Sequence, residues 1–180
     1  MNDSNNTLLE PEASAALSPR FETAGPLLIA GLREPLDEHA AQKIPALWQQ
    51  LQAQWNDISQ RVSDVGYGLC ISIDNREYFY MAGCAVWDFD DTPASLSPFI
   101  IPSQRYAVFT HQGNVNRIRD TIDYAFDQWL PSSGYALTPK DHNSLHFFER
   151  YGENFNAQTG LGEIEVWLPI AGLKPSHSIP

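Results

Sequence analysis

Positive charge is scarce in this chain of 180 residues, which has 11 lysines and arginines against 22 aspartates and glutamates. The net charge of -11 leaves no basic surface for a phosphate backbone, so we expect no direct binding of nucleic acid. No segment is apolar over the length of a membrane span, and the polar N-terminus lacks the features of a signal peptide. These absences predict a cytoplasmic protein whose negative field attracts small cations.

Cysteine is equally scarce, because Cys70 and Cys84 are the only two. We place them on the two arms of a hairpin that turns near residues 74–77, where the numbers of opposed residues should add to about 151. The two cysteines add to 154 and are therefore out of register. We predict two buried free thiols rather than a disulfide.

Motifs that hold metals, phosphates or activated nucleophiles are absent as well. His142 and His146 are four residues apart, but their segment does not have a helical pattern that would bring them together. The chain has no glycine-rich phosphate loop and no nucleophile elbow. We therefore expect no metal site and no cofactor.

What the chain does contain is an order of strand, helix, strand and strand that occurs twice. The elements of the first unit are a strand at 27–32, a helix at 40–61 and strands at 67–73 and 77–87. The elements of the second unit are a strand at 105–110, a helix at 115–129 and strands at 145–151 and 163–170. Two such βαββ units predict an α+β fold with one mostly antiparallel, curved sheet and two helices on one of its faces. A central pocket or cleft would lie on the other face, between the halves.

The last predicted strand carries carboxylates on one face. Side chains alternate along a strand, so Glu163, Glu165 and Trp167 share one face while aliphatic residues occupy the other. Carboxylates beside an indole suit a positively charged, partly apolar ligand. The alternative is a solvated glutamate, or one that is paired with Arg105 or Arg150.

Aromatic residues supply candidate walls for such a pocket. Tyr78 and Tyr80 share one face of their strand, and Phe79 and Met81 share the other. Because a tyrosine keeps a polar tip, we predict that the tyrosine face lines the pocket, with Tyr67 as a further wall. The aromatic residues at helical spacing are interpreted as core: Trp48, Trp55, Phe126 and Trp129.

Five short segments together resemble a known family. They are Ile101–Phe109, His111–Gly113, Trp129–Tyr135, Phe148–Tyr151 and Glu163–Ile170. In this order and spacing they resemble the GyrI-like effector-binding domain, which is also the ligand-sensing half of multidrug-responsive transcription activators. The likeness covers about residues 21–170, so we predict a flexible tail at 1–20, this domain at 21–171 and a C-terminal tail at 172–180.

The resemblance implies ligands that are hydrophobic cations, held by a buried glutamate on the final strand within aromatic walls. That glutamate lies four residues before the strand's proline, which places it at Glu165. Glu163 is expected at the rim. Glu149, in the segment Phe148-Glu149-Arg150-Tyr151, either structures the following turn or reaches the pocket.

Relatives within the family have other roles. Some antagonise DNA gyrase, and others resemble hydrolases of cyclopropane-bearing genotoxins in which a pocket glutamate helps water to attack. Sensor relatives carry a DNA-binding region at one end, and the two tails here are too short for one, so the resemblance implies a stand-alone domain. The leading hypothesis is a non-enzymatic binding protein for hydrophobic, cationic small molecules. The alternatives are a hydrolase with Glu165 as general base, or a partner of DNA gyrase or of a separately encoded regulator.

Overall fold

The computed structural model describes residues 17–73, 77–140 and 143–173. The strands are β1 (Arg20–Ala24), β2 (Leu27–Pro35), β3 (Arg61–Ile73), β4 (Glu77–Val86), β5 (Ser97–Ile101), β6 (Gln104–Thr110), β7 (Tyr135–Leu137), β8 (Ser144–Tyr151) and β9 (Ile164–Leu173). Two helical regions accompany them, α1 (Ala40–Ala53) between β2 and β3, and α2 between β6 and β7. The fold is α+β, as predicted.

Helix α1 is amphipathic and buries Leu47 and Leu51 against the sheet. Pro45 lies inside this helix, where its missing N–H leaves the carbonyl of Ala41 without a helical hydrogen bond. The predicted helix extended to residue 61, but α1 ends at Ala53 and is followed by a short 3-10 turn. Ile58 continues the apolar spacing, yet it lies beyond that turn and is buried there. Periodicity alone therefore overestimated the length of this helix.

The second helical region, which we call α2, changes its hydrogen-bonding pattern along its length. A 3-10 turn, Val115–Arg117, leads into the α-helix Ile118–Asp123, a π-helical stretch Tyr124–Trp129 and a last α-helical turn Leu130–Ser132. The side chain of Asn114 accepts a hydrogen bond from the backbone of Asn116 and so caps the start. The region matches the helix predicted from residues 115–129.

All strand pairs in the described residues are antiparallel, and the main sheet has the order β1-β6-β9-β8-β3-β4-β2-β5, with β7 also paired to β9. The predicted repeat is present as β2-α1-β3-β4 and β6-α2-β8-β9. Strands β3 and β8 join the two halves at the centre, where Gly68 is opposite Glu149.

Two short strands that the sequence patterns did not reveal, β1 and β5, form the two edges of the main sheet. Strand β1 pairs with β6, and after only Gly25 and Pro26 the chain continues as β2, which pairs with β5. Gly25 has a φ of +101°, and a Cβ there would lie 2.7 Å from the carbonyl oxygen of Pro102. Only glycine fits this crossing. The curved antiparallel sheet has the shape of a half-barrel.

The interior of the half-barrel is filled by side chains. One buried cluster lies on the concave face and includes Tyr67, Tyr106, Phe148 and Trp167. Two further clusters lie on the convex face, one under α1 and one under α2. The concave face leaves a cavity of about 80 Å³. The central pocket predicted for this face corresponds to this small cavity, which packed side chains surround.

The two cysteines are free and buried, as the register argument predicted. Cys70 is opposite Tyr80, and Cys84 is opposite Gly66. Burial raises the pKa of Cys70 to about 12 and that of Cys84 to about 11, so both thiols stay protonated and unreactive. None of the described helices has the length and hydropathy to cross a membrane.

The described part of the chain begins at residue 17 and ends at residue 173. Strand β1 begins at Arg20, one residue before the predicted start, and Leu17 packs against the cluster under α2. At the other end β9 continues to Leu173. Of the predicted tails at 1–20 and 172–180, residues 1–16 and 174–180 lie outside the described residues, as does His142.

Candidate functional site

Glu165 and Trp167 lie on the concave face of β9, as their alternation predicted. Trp167 belongs to the concave cluster, whereas Val166 and Leu168 pack under α2. The Glu165 side chain is only 8% exposed. A carboxylate in such a place needs charged or hydrogen-bonding partners.

Glu165 has these partners. Its Oε1 accepts a hydrogen bond from Arg20 Nη2 at 2.6 Å, and its Oε2 accepts one from Trp167 Nε1 at 2.9 Å. Arg150 Nη1 lies 3.5 Å from Oε2. Of the two arginines proposed as alternative partners, Arg150 therefore contacts Glu165, while Arg105 lies over the rings of Phe21 and Tyr135.

Glu163 lies nearer to solvent. Its Oε1 accepts a hydrogen bond from Arg150 Nη1 at 2.5 Å, and its side chain is 42% exposed. Its carboxylate is thus tied to the same arginine that approaches Glu165. Glu163 is thus the more exposed of the two carboxylates.

The aromatic rings of the concave face pack on one another. Trp167 stacks on Phe148 with ring centroids 5.2 Å apart, and Tyr106 meets both rings edge-on at 5.5 Å. Tyr67 lies 6.1 Å from Phe148, and burial raises its pKa against the opposing effect of Arg150. These rings form part of the wall of the cavity of about 80 Å³. That volume holds water molecules and excludes a drug-sized ligand without rearrangement.

Tyr78 and Tyr80 are not on this face, which corrects the prediction that the tyrosine side of β4 lines the concave pocket. Tyr80 packs with the residues under α1, whereas Met81 belongs to the concave cluster. Tyr78 contacts His146, which in turn contacts Phe126 of α2. Both faces of β4 are buried, so the polar tip of a tyrosine did not distinguish them.

Tyr80 is instead part of a polar cluster around Glu149. Glu149 Oε2 accepts hydrogen bonds from the hydroxyls of Tyr80 and Tyr151, each at 2.7 Å, and Trp48 Nε1 donates to the Tyr80 oxygen at 3.1 Å. Gly68 makes room for it, since a Cβ there would lie 2.1 Å from the Tyr80 oxygen. The cluster therefore depends on a glycine at the centre of the sheet.

Aromatic rings surround this carboxylate on the convex face. Trp48 of α1 meets Tyr151 edge-on at 5.2 Å, and Tyr151 lies 4.9 Å from Phe155 in the loop before β9. Trp48 is half-buried, while Glu149 is 5% exposed. The rings of Trp48, Tyr80, Tyr151 and Phe155 pack around this carboxylate, and together with Glu149 we call them the Glu149 cluster.

Glu149 has no positively charged partner in the described part of the chain. Burial raises its pKa, and the two tyrosine hydroxyls oppose that shift without cancelling it. Burial and the charge of Glu149 in turn raise the pKa of Tyr80 and of Tyr151 well above 10. Because a buried carboxylate without a cation is costly, this group would gain from an incoming positive charge.

Histidines do not form a metal site in the described residues, where no suitable group of ligands is found. Burial lowers the pKa of His146 to about 4, so its imidazole is neutral between two aromatic rings. His111 is also buried and contacts the hydroxyl of Thr121 through Nδ1 at 2.8 Å. The contacts of His146 with Phe126 and of His111 with Thr121 hold α2 on the sheet.

The sequence interpretation missed three residues that surround the two buried glutamates: Trp48, Arg20 and Tyr151. Trp48 was assigned to the core because its spacing is helical, and Arg20 was assigned to the tail. Tyr151 could have been found, because it lies two residues after Glu149 and must share its face of β8.

A protein-family profile, described as the GyrI-like small molecule binding domain, matches residues 17–171. The transcriptional regulator BrlR of Pseudomonas aeruginosa is 29% identical over 129 residues, which are 71% of this chain and 46% of that protein. The chain thus spans less than half the length of this curated relative.

Solved structures share the fold. The structure of SAV2435 bound to tetraphenylphosphonium has a TM-score of 0.71 at 21% identity, covering 89% of this chain and 98% of that one. The EcmrR C-terminal domain has a TM-score of 0.60 at 16% identity, covering 87% of this chain and 99% of that one. At this identity the likeness establishes the fold alone.

Proposed function

The chain belongs to the GyrI-like small-molecule-binding domain family, and on this premise we propose that it binds hydrophobic organic cations at the Glu149 cluster. The observation that carries the proposal is a buried carboxylate among four aromatic rings with no cation beside it in the described residues. A lipophilic cation would supply the missing charge, and the rings would favour it through cation–π contacts. SAV2435, with the same fold, has been solved with such a cation.

Glu165, which the sequence favoured as the counter-charge, is the weaker candidate for this ligand. Arg20 and Arg150 already lie beside its carboxylate. A ligand there would displace an existing guanidinium and would enter a cavity of about 80 Å³. The Glu149 cluster requires no such exchange of charges.

Entry of a bulky cation to Glu149 requires that Trp48 separate from Tyr151. Both rings are in contact, and Trp48 belongs to α1, which is anchored by two fully buried side chains, Leu47 and Leu51. A helix with so few buried anchors opens at low cost. We expect α1 to shift outward when the ligand binds.

The test is a titration with tetraphenylphosphonium of the wild type, Glu149→Gln and Glu165→Gln, followed by calorimetry. Loss of the buried charge should weaken binding by about tenfold or more in Glu149→Gln, since one charge-assisted contact is worth about 1.5–3 kcal/mol. Glu165→Gln is the matched control and should remain within about threefold of the wild type. Equal binding by the wild type and Glu149→Gln would contradict the proposal.

Proton release gives an independent readout. A cation beside Glu149 lowers the raised pKa of its carboxyl, so binding should release protons from the wild type at pH values around the pKa of that carboxyl in the unliganded protein. Calorimetric titrations in buffers of different ionisation enthalpy measure the number of protons released. Glu149→Gln should release none.

A raised pKa also suits a general base, so a hydrolytic role on a strained electrophile is the alternative to simple binding. A measurement of turnover distinguishes hydrolysis from simple binding. Consumption of more than one equivalent of a cyclopropane-type electrophile, lost in Glu149→Gln, would indicate catalysis. Stoichiometric protection indicates binding.

A role in regulation would follow from ligand binding, because the relative BrlR is a transcriptional regulator. We expect the domain to act in the cytoplasm and to report ligand occupancy to a DNA-binding regulator. The alternative partner, DNA gyrase, is tested by a supercoiling assay with excess protein. Unchanged supercoiling would exclude that partner.

A further inference from the structure

The central strands β3 and β8 lie between the two helices on the convex face, because the cluster under α1 is built on β2 and β4 and the cluster under α2 on β6 and β9. The residues that β3 presents on this face are all small: Gly66, Gly68, Cys70 and Ser72. Glu149 is opposite Gly68, and Ser144 is opposite Ser72, about 13 Å further along the strand. A floor of small side chains thus leads from the Glu149 cluster to a second end.

Three polar atoms at this second end are buried and have no hydrogen-bond partner in the described part of the chain. They are Ser72 Oγ, Ser144 Oγ and His146 Nδ1. Ser72 is fully buried, and it pairs across the two strands with Ser144. A buried polar group without a partner costs free energy, so such a group in a folded protein requires an explanation. Here three of them lie on one face of two neighbouring strands.

Two irregularities of the backbone meet at His146. The register of β3 and β8 shifts between Cys70 and Ile71, which leaves His146 as an extra residue of β8 with no residue opposite. Such a bulge redirects a side chain and is common beside functional sites. Phe126, whose ring lies 4.9 Å from the imidazole, belongs to the π-helical stretch Tyr124–Trp129. π-helical turns are likewise frequent at functional sites.

Lys140 supplies positive charge at this end. Its Nζ donates a hydrogen bond to the Tyr78 hydroxyl at 3.1 Å, and the Tyr78 ring packs on His146 at 5.3 Å. Since the Tyr78 oxygen accepts from Lys140, its own proton is available to another acceptor. Burial raises the pKa of Cys70 most, the charge of Glu149 raises it further and that of Lys140 lowers it, so Cys70 lies between the two charged groups. The floor is therefore acidic at one end and basic at the other.

The five residues at the basic end are called the Lys140 site: Ser72, Tyr78, Lys140, Ser144 and His146. We propose that the Lys140 site accepts a carboxylate or another anionic group of the same ligand whose cation lies at Glu149. The two serine hydroxyls and the ammonium group donate to an anion, and an imidazole N–H at Nδ1 would join them. The inference rests on the proposed function and narrows the ligand class to lipophilic zwitterions.

The charge of the whole chain explains why the anion must arrive together with a cation. A net charge of -11 opposes the capture of a free anion, whereas a zwitterion has no net charge to repel. The length of the floor sets the spacing of the two ligand charges at about 13 Å. A ligand of this kind would give the three unpartnered atoms a partner and would place a cation beside Glu149.

The experiment compares two probes by calorimetry, carboxydecyl-triphenylphosphonium and undecyl-triphenylphosphonium, in which a methyl group replaces the carboxylate. We expect Lys140→Met to bind the carboxydecyl probe about tenfold or more weakly than the wild type, and Ser72→Ala about threefold or more weakly. The undecyl probe offers no anion, so it should bind the three proteins within about twofold of one another. Carboxybutyl-triphenylphosphonium is too short to reach both ends and should likewise not distinguish them.

Lys43→Met is the matched control, because it also removes one lysine charge, which pairs with Asp37 on the surface. It should bind each probe as the wild type does. Thermal unfolding without ligand gives an independent readout. Ser72→Ala removes a buried hydroxyl that has no partner in the described residues, so its melting temperature should equal or exceed that of the wild type.

Two results would overturn the Lys140 site while leaving the Glu149 cluster in place. One is equal binding of the carboxydecyl probe by the wild type, Lys140→Met and Ser72→Ala when all three bind the undecyl probe. The other is a lower melting temperature of Ser72→Ala, which would assign the hydroxyl a structural role. A wild type that binds neither long probe would overturn the proposed function and the Lys140 site together.

Discussion

Glu149 and Glu165 are buried carboxylates on opposite faces of the same sheet, and they differ in what surrounds them. Glu165 is neutralised by two guanidiniums and one indole N–H. Glu149 has only neutral hydroxyls as its donors in the described residues. The difference teaches that burial alone does not identify a ligand carboxylate. The absence of a charged partner is the more informative property, because that carboxylate gains most from an incoming cation.

The largest expected effect is that of a substitution at Gly68. This glycine makes room for the side chains around Glu149 but not for those around Glu165. Gly68→Ala would place a methyl group 2.1 Å from the Tyr80 oxygen and 2.5 Å from Glu149 Oε2. We expect a loss of about 2–4 kcal/mol in the free energy of unfolding and loss of tetraphenylphosphonium binding. Denaturant unfolding measures the first.

Gly172→Ala is the matched control for this variant. Gly172 is in β9, and a Cβ there would have no neighbour within 4 Å. Its stability should stay within about 0.5 kcal/mol of the wild type. Equal effects of the two glycine variants would mean that the Glu149 cluster tolerates rearrangement.

The next expected effect is on the free energy of unfolding, which Glu165→Gln should lower and Glu149→Gln should not. Glu165→Gln leaves Arg20 and Arg150 without their shared carboxylate and should destabilise the protein by about 1–2 kcal/mol, a value reduced because both arginines reach solvent. Glu149→Gln removes an unpaired buried charge and should leave stability at pH 7 unchanged or raised. Urea unfolding at pH 7 compares them. Destabilisation of both to the same extent would contradict the contrast.

The smallest effect is the pH dependence of stability. The folded pKa of Glu149 lies above its ordinary value of 4.5, so its contribution is present below pH 4.5 and is lost as pH rises through the folded pKa. The unfolded chain releases that proton first, and stability should fall with pH in this window by at most about 1.4 kcal/mol per pH unit. Urea unfolding at several pH values should show this fall in stability in the wild type and in Glu165→Gln. It should be missing from Glu149→Gln, and its persistence there would assign it to another group.

The sequence predicted the parts of the fold that depend on local pattern. Alternation placed Glu165 and Trp167 on one face of β9, and periodicity located both helices and most strands. The order of the predicted elements identified the duplicated unit. Strand β1 was missed because its pairing partner, β6, lies far along the chain and leaves no local signal.

The site was harder to predict for a physical reason. Both faces of β4 are buried, so the side that carries Tyr80 depends on where the helices pack and not on hydropathy. The partner of Glu165 is likewise decided in three dimensions. Arg20 is separated from it by most of the chain, and no spacing rule connects them.

The crossing at Gly25 and Pro26 has a consequence for how the protein forms. Strand β1 belongs in sequence to the first half, yet its pairing partner is β6 of the second half, with Arg20 opposite Val108. Strand β5, which precedes the second half, pairs back onto β2 of the first. Strand β1 thus completes the sheet of the second half, and β5 completes that of the first, so neither half can form its full sheet alone. On the ribosome, β1 must therefore wait unpaired until β6 has been synthesised, and the two halves should unfold as one cooperative unit.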